Sequence, residues 1–269
     1  MLSLDPEKVA AAIRETAEIE VMPLFGKLAA GDIREKTPGD LVSIADEASE
    51  RHLNERLGAL LPGSVVVGEE AAAADAKVVD RLAEQDTVWI VDPIDGTLNF
   101  CAGIPIFALM VALVRRGETV GGWIFDPVND EMLSAIKGEG AWLNGTRLQV
   151  EKDIPIDAMR GALARLSVPD KARQAELGQR YVFHGEEGDF RCAGREYKEL
   201  SRGGRQFTTF YNLKPWDHAP GLLIHAEAGG HSAMMDDEKP YSFLRHQGPL
   251  LAAPSHEAWL ALRELIYRT

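Results

Sequence analysis

Cysteine is nearly absent from this sequence. Among 269 residues only Cys101 and Cys192 occur, and neither belongs to a Cys-x-x-Cys or Cys/His ligand spacing. That argues against a structural zinc site, and two cysteines so far apart suit a reducing compartment. Long apolar runs are lacking as well. The longest, Ile104 to Val114, falls well short of the ~20 residues a helix needs to cross a bilayer. Residues Met1 to Phe25 hold several acids and no basic segment ahead of an apolar one, so no signal peptide is read there. A cytoplasmic enzyme is the expectation. Basic side chains are the third scarcity. Lys+Arg 29 stand against Asp+Glu 42, a formal net charge of -13. Such a surface repels nucleic acid and anionic membrane. It would repel a phosphorylated ligand too, unless bound divalent cations reversed the sign locally.

What is present is ordinary globular material, 45% hydrophobic and 26% charged. Asp5-Pro6 opens a helix, a cap residue followed by proline at the first helical position. Val9, Ala12, Ile13, Ala17 and Ile19 keep helical spacing until Pro23. Lys36 to Asp40 reads as a loop or turn. A second helix runs from Ser43 to Leu57, with Ile44, Ala48 and Leu57 on its apolar side. Strands are read at Ser64 to Gly68, Thr87 to Val91, Ile104 to Val114, Gly121 to Phe125, Glu131 to Ile136, Ala141 to Leu143 and Leu148 to Val150. Asn144-Gly145 marks a tight turn. Glu151 to Ala158, with two prolines and several charges, is taken as the boundary between an N-terminal α+β domain, 1–150, and a C-terminal α/β domain, 151–269. Beyond it come strands at Ala162 to Ser167 and Tyr181 to Phe183. Helices are read at Lys171 to Leu177, Asp217 to Ala228 and Ser255 to Tyr267.

The strongest local signal is Val88-Trp-Ile-Val-Asp92-Pro-Ile-Asp95-Gly-Thr97. An apolar strand delivers Asp92 to its end, Pro93 stiffens the turn, and Asp95 brings a second carboxylate toward the same point. Gly96 lets backbone approach a ligand, and Thr97 opens a helix whose free amides suit an anion. Carboxylates for cations beside amides for a phosphate make a chemically complete half-site. Asp-Pro and Asp-Gly alone would be turn dipeptides; the full run is more specific. Glu69-Glu70 follows a valine strand, either as solvated loop acids or as the completion of a cation site. Asp217 reads as a helix N-cap, a role that leaves its other oxygen for a metal.

Gly68-Glu69-Glu70, Asp92-Pro-Ile-Asp-Gly-Thr97 and Trp216-Asp217-His-Ala-Pro-Gly221 resemble, in order and spacing, the motifs of the inositol monophosphatase family. Lys36 with Asp40-Leu-Val-Ser-Ile-Ala-Asp46 is similar to its N-terminal motif. Gly122-Trp-Ile-Phe-Asp126-Pro127 and Gly138-Glu-Gly-Ala-Trp-Leu-Asn-Gly145 resemble its sheet and hairpin. The resemblance implies an α+β fold, a layered αβαβα sandwich, and a Mg²⁺-dependent, lithium-sensitive phosphatase with two or three ions. It assigns Glu69, Asp92 and the Ile94 carbonyl to one ion and Asp92, Asp95 and Asp217 to a second. Asp46 and Glu69 would help a looser third through water. Thr97 and Glu69 would orient the attacking water, and the amides of Gly96 and Thr97 would hold the phosphate. It also makes a homodimer plausible.

The substrate is less legible. An enzyme built for inositol usually carries an acid shortly before the Trp-Asp pair, and Phe210-Tyr-Asn-Leu-Lys-Pro215 has none. Arg191-Cys-Ala-Gly194 matches the family's Arg-x-x-Gly segment. Arg195, Lys198 and Lys214 would each either meet a second anion or face solvent. A small phosphorylated metabolite is the expected partner: an inositol phosphate, fructose 1,6-bisphosphate, a 3′-phosphonucleotide or histidinol phosphate. The rival class is a non-catalytic protein of the same fold acting on RNA or the transcription machinery.

Overall fold

The computed structural model describes residues 4–267. Helix α1 (Pro6–Thr16) starts as its sequence dictates: Asp5 accepts the Glu7 amide at 3.0 Å and Pro6 takes the first position. A π-helical turn, Ala17–Val21, extends it. Pro38-Gly39 is the turn of a hairpin of β1 (Ile33–Thr37) and β2 (Asp40–Ser43). Its strands are polar enough to hide their type. Then follow α2 (Ile44–Leu60), β3 (Val65–Gly68), α3 (Glu69–Ala74), α4 (Arg81–Glu84), β4 (Thr87–Asp95) and α5 (Thr97–Cys101). Strands β5 (Ala108–Arg115), β6 (Glu118–Asp126), β7 (Glu131–Ile136), β8 (Gly140–Leu143) and β9 (Thr146–Leu148) continue the chain. β3 to β9 form a seven-stranded sheet in sequence order, parallel between β3 and β4 and antiparallel elsewhere.

The remainder holds β10 (Gly161–Leu163), α6 (Lys171–Leu177), β11 (Val182–Phe183), α7 (Ala193–Arg202), β12 (Phe207–Asn212), α8 (Pro215–Glu227), β13 (His231–Met234), β14 (Gln247–Ala253) and α9 (His256–Ile266). Its five-stranded sheet has the order β11-β10-β12-β14-β13. The strand expected to reach Ser167 stops at Leu163, and Arg165–Ser167 is a 3₁₀ turn.

Burial alternates along the central strands and defines the layers. Trp89, Val91, Leu109, Val111, Leu113 and Trp123 face α1 and α2. Their neighbours Ala108, Met110 and Ile124 face the other way, onto Tyr197 and Leu200 of α7, Ile224 of α8, and Leu250 and Ala252 of β14. Leu251 and Ala253 turn instead to Leu177 of α6 and Trp259 and Leu262 of α9. The result is an α+β sandwich in the order αβαβα. Strands buried on both faces lose polar alternation and read as continuous apolar runs. Two sequence expectations are corrected here. Ile19 and Ile44 are exposed, and the buried face of α2 is Ala45, Asp46, Ser49, Glu50, Leu53 and Leu57. Among the described residues no helix is long and apolar enough to cross a membrane.

Candidate metal centre

Asp92 and Asp95 both lie within β4, where a turn was expected after Asp92. Side chains three apart on a regular strand point to opposite faces. Here Asp92 pairs with Met110 and Asp95 with Ala108, so β4 carries one extra residue across that step. The bulge restores both carboxylates to one face, the face on which α8 packs. Ile94 turns into the opposite core.

Asp95 is held by the start of α7. Its carboxylate accepts the Ala193 and Gly194 amides at 3.1 and 2.6 Å and the Cys192 thiol at 3.0 Å. A side chain at Gly194 would crowd Asp95, with Cβ 3.1 Å from its Oδ2. Gly96, with φ +87°, takes a conformation that favours glycine, and a Cβ there would sit 3.0 Å from the Ile106 carbonyl.

Glu69 opens α3. Behind it, Glu50 of α2 accepts the Glu70 and Ala71 amides at 2.8 and 2.9 Å. A Cβ on Gly68 would lie 2.2 Å from Glu50 Oε2, so glycine is required for that cap. Lys36, from β1, reaches Glu69 at 3.0 Å and Glu70 at 2.9 Å. Burial opposes the lysine's charge, yet the two carboxylates raise its pKa. Asp217 lies inside the first turn of α8 rather than capping it; the cap position belongs to Lys214.

These acids wall one cavity of about 240 Å³. Glu69, Asp92, Asp95, Asp217 and the backbone of Ile94, Gly96 and Thr97 line it, with Arg191 and Lys214. Burial, then the charges of Glu69, Asp95 and Asp217, push the Asp92 carboxyl well above its ordinary value. Asp217 rises likewise, through burial and then Asp95 and Glu69, against the pull of Lys214. Asp92 Oδ1 is buried and has no hydrogen-bond partner. A buried anionic oxygen without a donor is costly. The cavity therefore has the charge and the orphaned acceptor of a cation site, with oxygen donors suited to a hard ion.

The description "Inositol monophosphatase family" matches residues 5–267. The chain belongs to the inositol monophosphatase family. It is 37% identical over 253 residues to an inositol-1-monophosphatase of Rhizobium meliloti, covering 91% of this chain and 89% of the relative. It is 33% identical over 227 residues to Nus factor SuhB of Haemophilus influenzae, covering 82% and 80%. Among solved structures, the extragenic suppressor protein suhB of Bartonella henselae superposes with a TM-score of 0.79 at 25% identity, over 97% of this chain and 98% of that one.

Within this inositol monophosphatase family member the other expected site residues are distributed unevenly. The Thr97 hydroxyl lies 2.9 Å from the Ile94 carbonyl and 3.1 Å from Asp46 Oδ1. Asp46 also accepts the Ser43 amide and hydroxyl as the third residue of a capping box. Burial raises its pKa to about 6. Arg195 pairs with Glu199 at 2.9 Å and lies 5.2 Å over the Phe190 ring, so it is not brought to the acid wall. Lys198 neither faces solvent nor meets a ligand; it is buried between Asp126, at 2.6 Å, and Glu131. Glu50 and the Cys192 to Gly194 clasp escaped sequence reasoning. The one available signal was the heptad-spaced face Asp46, Glu50, Leu53, Leu57, which carries acids where apolar residues were sought.

A second group of ligand-type side chains lies elsewhere. His184, Asp189 and Glu196 bring such atoms within 4.8 Å of one another. His184 Nδ1 is 2.9 Å from Asp189 and Nε2 is 3.0 Å from the Thr209 carbonyl, while Arg205 pairs with Glu196. Both ring nitrogens face oxygen acceptors, an arrangement that favours the protonated ring over a metal-ligating one. Burial lowers the His184 pKa, but the Asp189 hydrogen bond and the charges of Glu196 and Asp189 more than offset that and raise it above 6.5. Its stabilisation is complete below 6.5 and is lost as pH rises through the higher folded value. His184→Gln should melt lower than wild type at about pH 6, and the gap should narrow by about pH 9. A gap that widens toward alkaline pH would contradict the charge network.

Proposed function

We propose that the protein hydrolyses a small phosphate monoester, with Mg²⁺ held by Glu69, Asp92, the Ile94 carbonyl, Asp95 and Asp217. One observation carries the reading: Asp92 Oδ1 is buried and unpartnered in a cavity also lined by the acids Asp40, Glu69, Asp95 and Asp217. Bound there, Mg²⁺ would supply the charge that acidifies a water and neutralises the leaving oxygen. The chain's own groups orient the reactants. Thr97, fixed beside Asp46 and Ile94, and Glu69 aim the water. The amides of Gly96 and Thr97 receive the phosphate, and Arg191 and Lys214 offset its charge from the same wall. Asp46 lies behind Thr97, where it would help a looser further ion through water. In-line transfer to water needs no protein nucleophile.

The test is phosphate release from a panel of monoesters with and without Mg²⁺. Activity should vanish in EDTA and return with Mg²⁺, and millimolar Li⁺ should inhibit it. Turnover indifferent to chelation overturns the assignment. A non-catalytic regulatory role is the second reading, favoured by the relatives named Nus factor SuhB. The complete acid set and a net charge of -13 support hydrolysis over direct binding of nucleic acid. Absence of Mg²⁺-dependent turnover on every ester would decide for the regulatory role.

A further inference from the structure

The two carboxylate oxygens of Asp95 are held unequally. Oδ2 accepts the Gly194 amide at 2.6 Å and the Cys192 thiol at 3.0 Å, whereas Oδ1 has one longer bond, from the Ala193 amide at 3.1 Å. The thiol is itself fixed. Cys192 is the N-cap of α7, and its sulfur accepts the Arg195 amide at 3.4 Å. A cysteine thiol carries one hydrogen and keeps it at neutral pH. Its acceptors are Asp95 Oδ2 and, at 3.7 Å, the Asp95 carbonyl, so the nearer carboxylate takes it. The contact is buried and ties β4 to α7 across 97 positions of the chain.

We propose that Cys192 is a positioning residue for the second cation: its thiol anchors Asp95 through Oδ2 and leaves Oδ1 turned to the ion. The proposal rests on the metal assignment above and adds a residue behind it. The χ2 torsion of aspartate is broad, so hydrogen bonds rather than rotamer preference fix where its oxygens lie. Without the S–H, Oδ2 keeps only the Gly194 amide, and the carboxylate is free to turn. The effect is selective. Glu69, Asp92 and the Ile94 carbonyl would hold the first ion, and Asp95 belongs to the second, with Asp92 and Asp217. Hydrogen bonds behind a metal ligand are worth about 10–100-fold in metal affinity.

The experiment titrates Mg²⁺ into the substrate-free protein by calorimetry, with Mn²⁺ paramagnetic resonance to count the sites. Cys192→Ala should weaken one site by about tenfold or more and leave the rest nearly unchanged. The weakened site should be the one that Asp217→Asn also loses. Cys192→Ser keeps a donor at the cap and should bind as wild type does. Cys192→Gly, well tolerated at a cap, serves the same comparison if the alanine variant fails to fold. Unchanged Mg²⁺ binding with only a lower melting temperature would reduce Cys192 to a helix cap and overturn the proposal. So would an equal loss at every site, or a serine variant as weak as the alanine one. In each of these cases wild type still binds Mg²⁺ and the metal assignment stands. If wild type binds none, that assignment falls and the proposal with it.

Discussion

Asp92→Asn should melt at a higher temperature than the parent protein in EDTA and hydrolyse almost nothing in Mg²⁺. The two effects have one cause. Without cations, Asp92 is a fully buried carboxyl surrounded by Glu69, Asp95 and Asp217, and burial with their charges raises its pKa. An amide of the same shape removes the repulsion and supplies donors to neighbouring oxygens. The same change removes the carboxylate proposed to bridge two ions, and loss of electrostatic stabilisation of that kind costs about 10²–10³ in rate. Mg²⁺ should raise the melting temperature of wild type more than that of the variant. Near-normal turnover by Asp92→Asn, or a variant less stable than the parent in EDTA, would refute the site.

Gly221→Ala should be the most destabilising single methyl among the site's supports. A Cβ there would lie 2.1 Å from Tyr197 Cδ2 and 2.2 Å from Cγ, inside the ring rather than at a movable tip. Tyr197 cannot retreat. It is fully buried, stacks on Phe210 at 5.3 Å, and reaches His218 Nδ1 at 2.9 Å. Helices α7 and α8 must separate, and Asp217 lies one turn upstream of Gly221 on α8. Overpacking of this kind costs about 3 kcal/mol, readable in urea melts, and activity should fall with it. Tyr197→Leu in the same chain should recover part of the stability. Wild-type stability of the single variant would show that the helices have room the close approach denies.

Much of the first sheet and the acid motif was legible because both are local. An apolar strand running into Asp92-Pro-Ile-Asp95 shows in sequence that two carboxylates are delivered close together, and Asp5-Pro6 declares a helix start. What stayed hidden depends on tertiary context. The hairpin of β1 and β2 is polar, β14 is Gln-Gly-Pro-Leu-Leu-Ala-Ala without alternation, and α7 buries Lys198 against Asp126 and Glu131, far back along the chain. The bulge in β4 was invisible for the same reason, since it exists only against β5. His218, next to Asp217, is buried among these partners: it accepts from Tyr197, and its Nε2 donates to the Asn212 carbonyl at 2.9 Å. Burial lowers its pKa to about 4.

The acids come from the start of α3, from β4, and from a helix lying between the two sheets. Glu69 and Asp217 are 148 positions apart (217 − 69). They can repel one another only after both sheets have docked on α8, near the end of folding. Repulsion absent from the transition state leaves the refolding rate alone and accelerates escape from the native state. Chelation should therefore steepen loss of the folded protein through its unfolding rate, and Mg²⁺ should act as a brake on unfolding with little effect on refolding. Stopped-flow chevrons recorded with and without Mg²⁺ would separate along their unfolding arms. A shift confined to the refolding arm would mean that the acids already meet in the transition state, before the second sheet is in place.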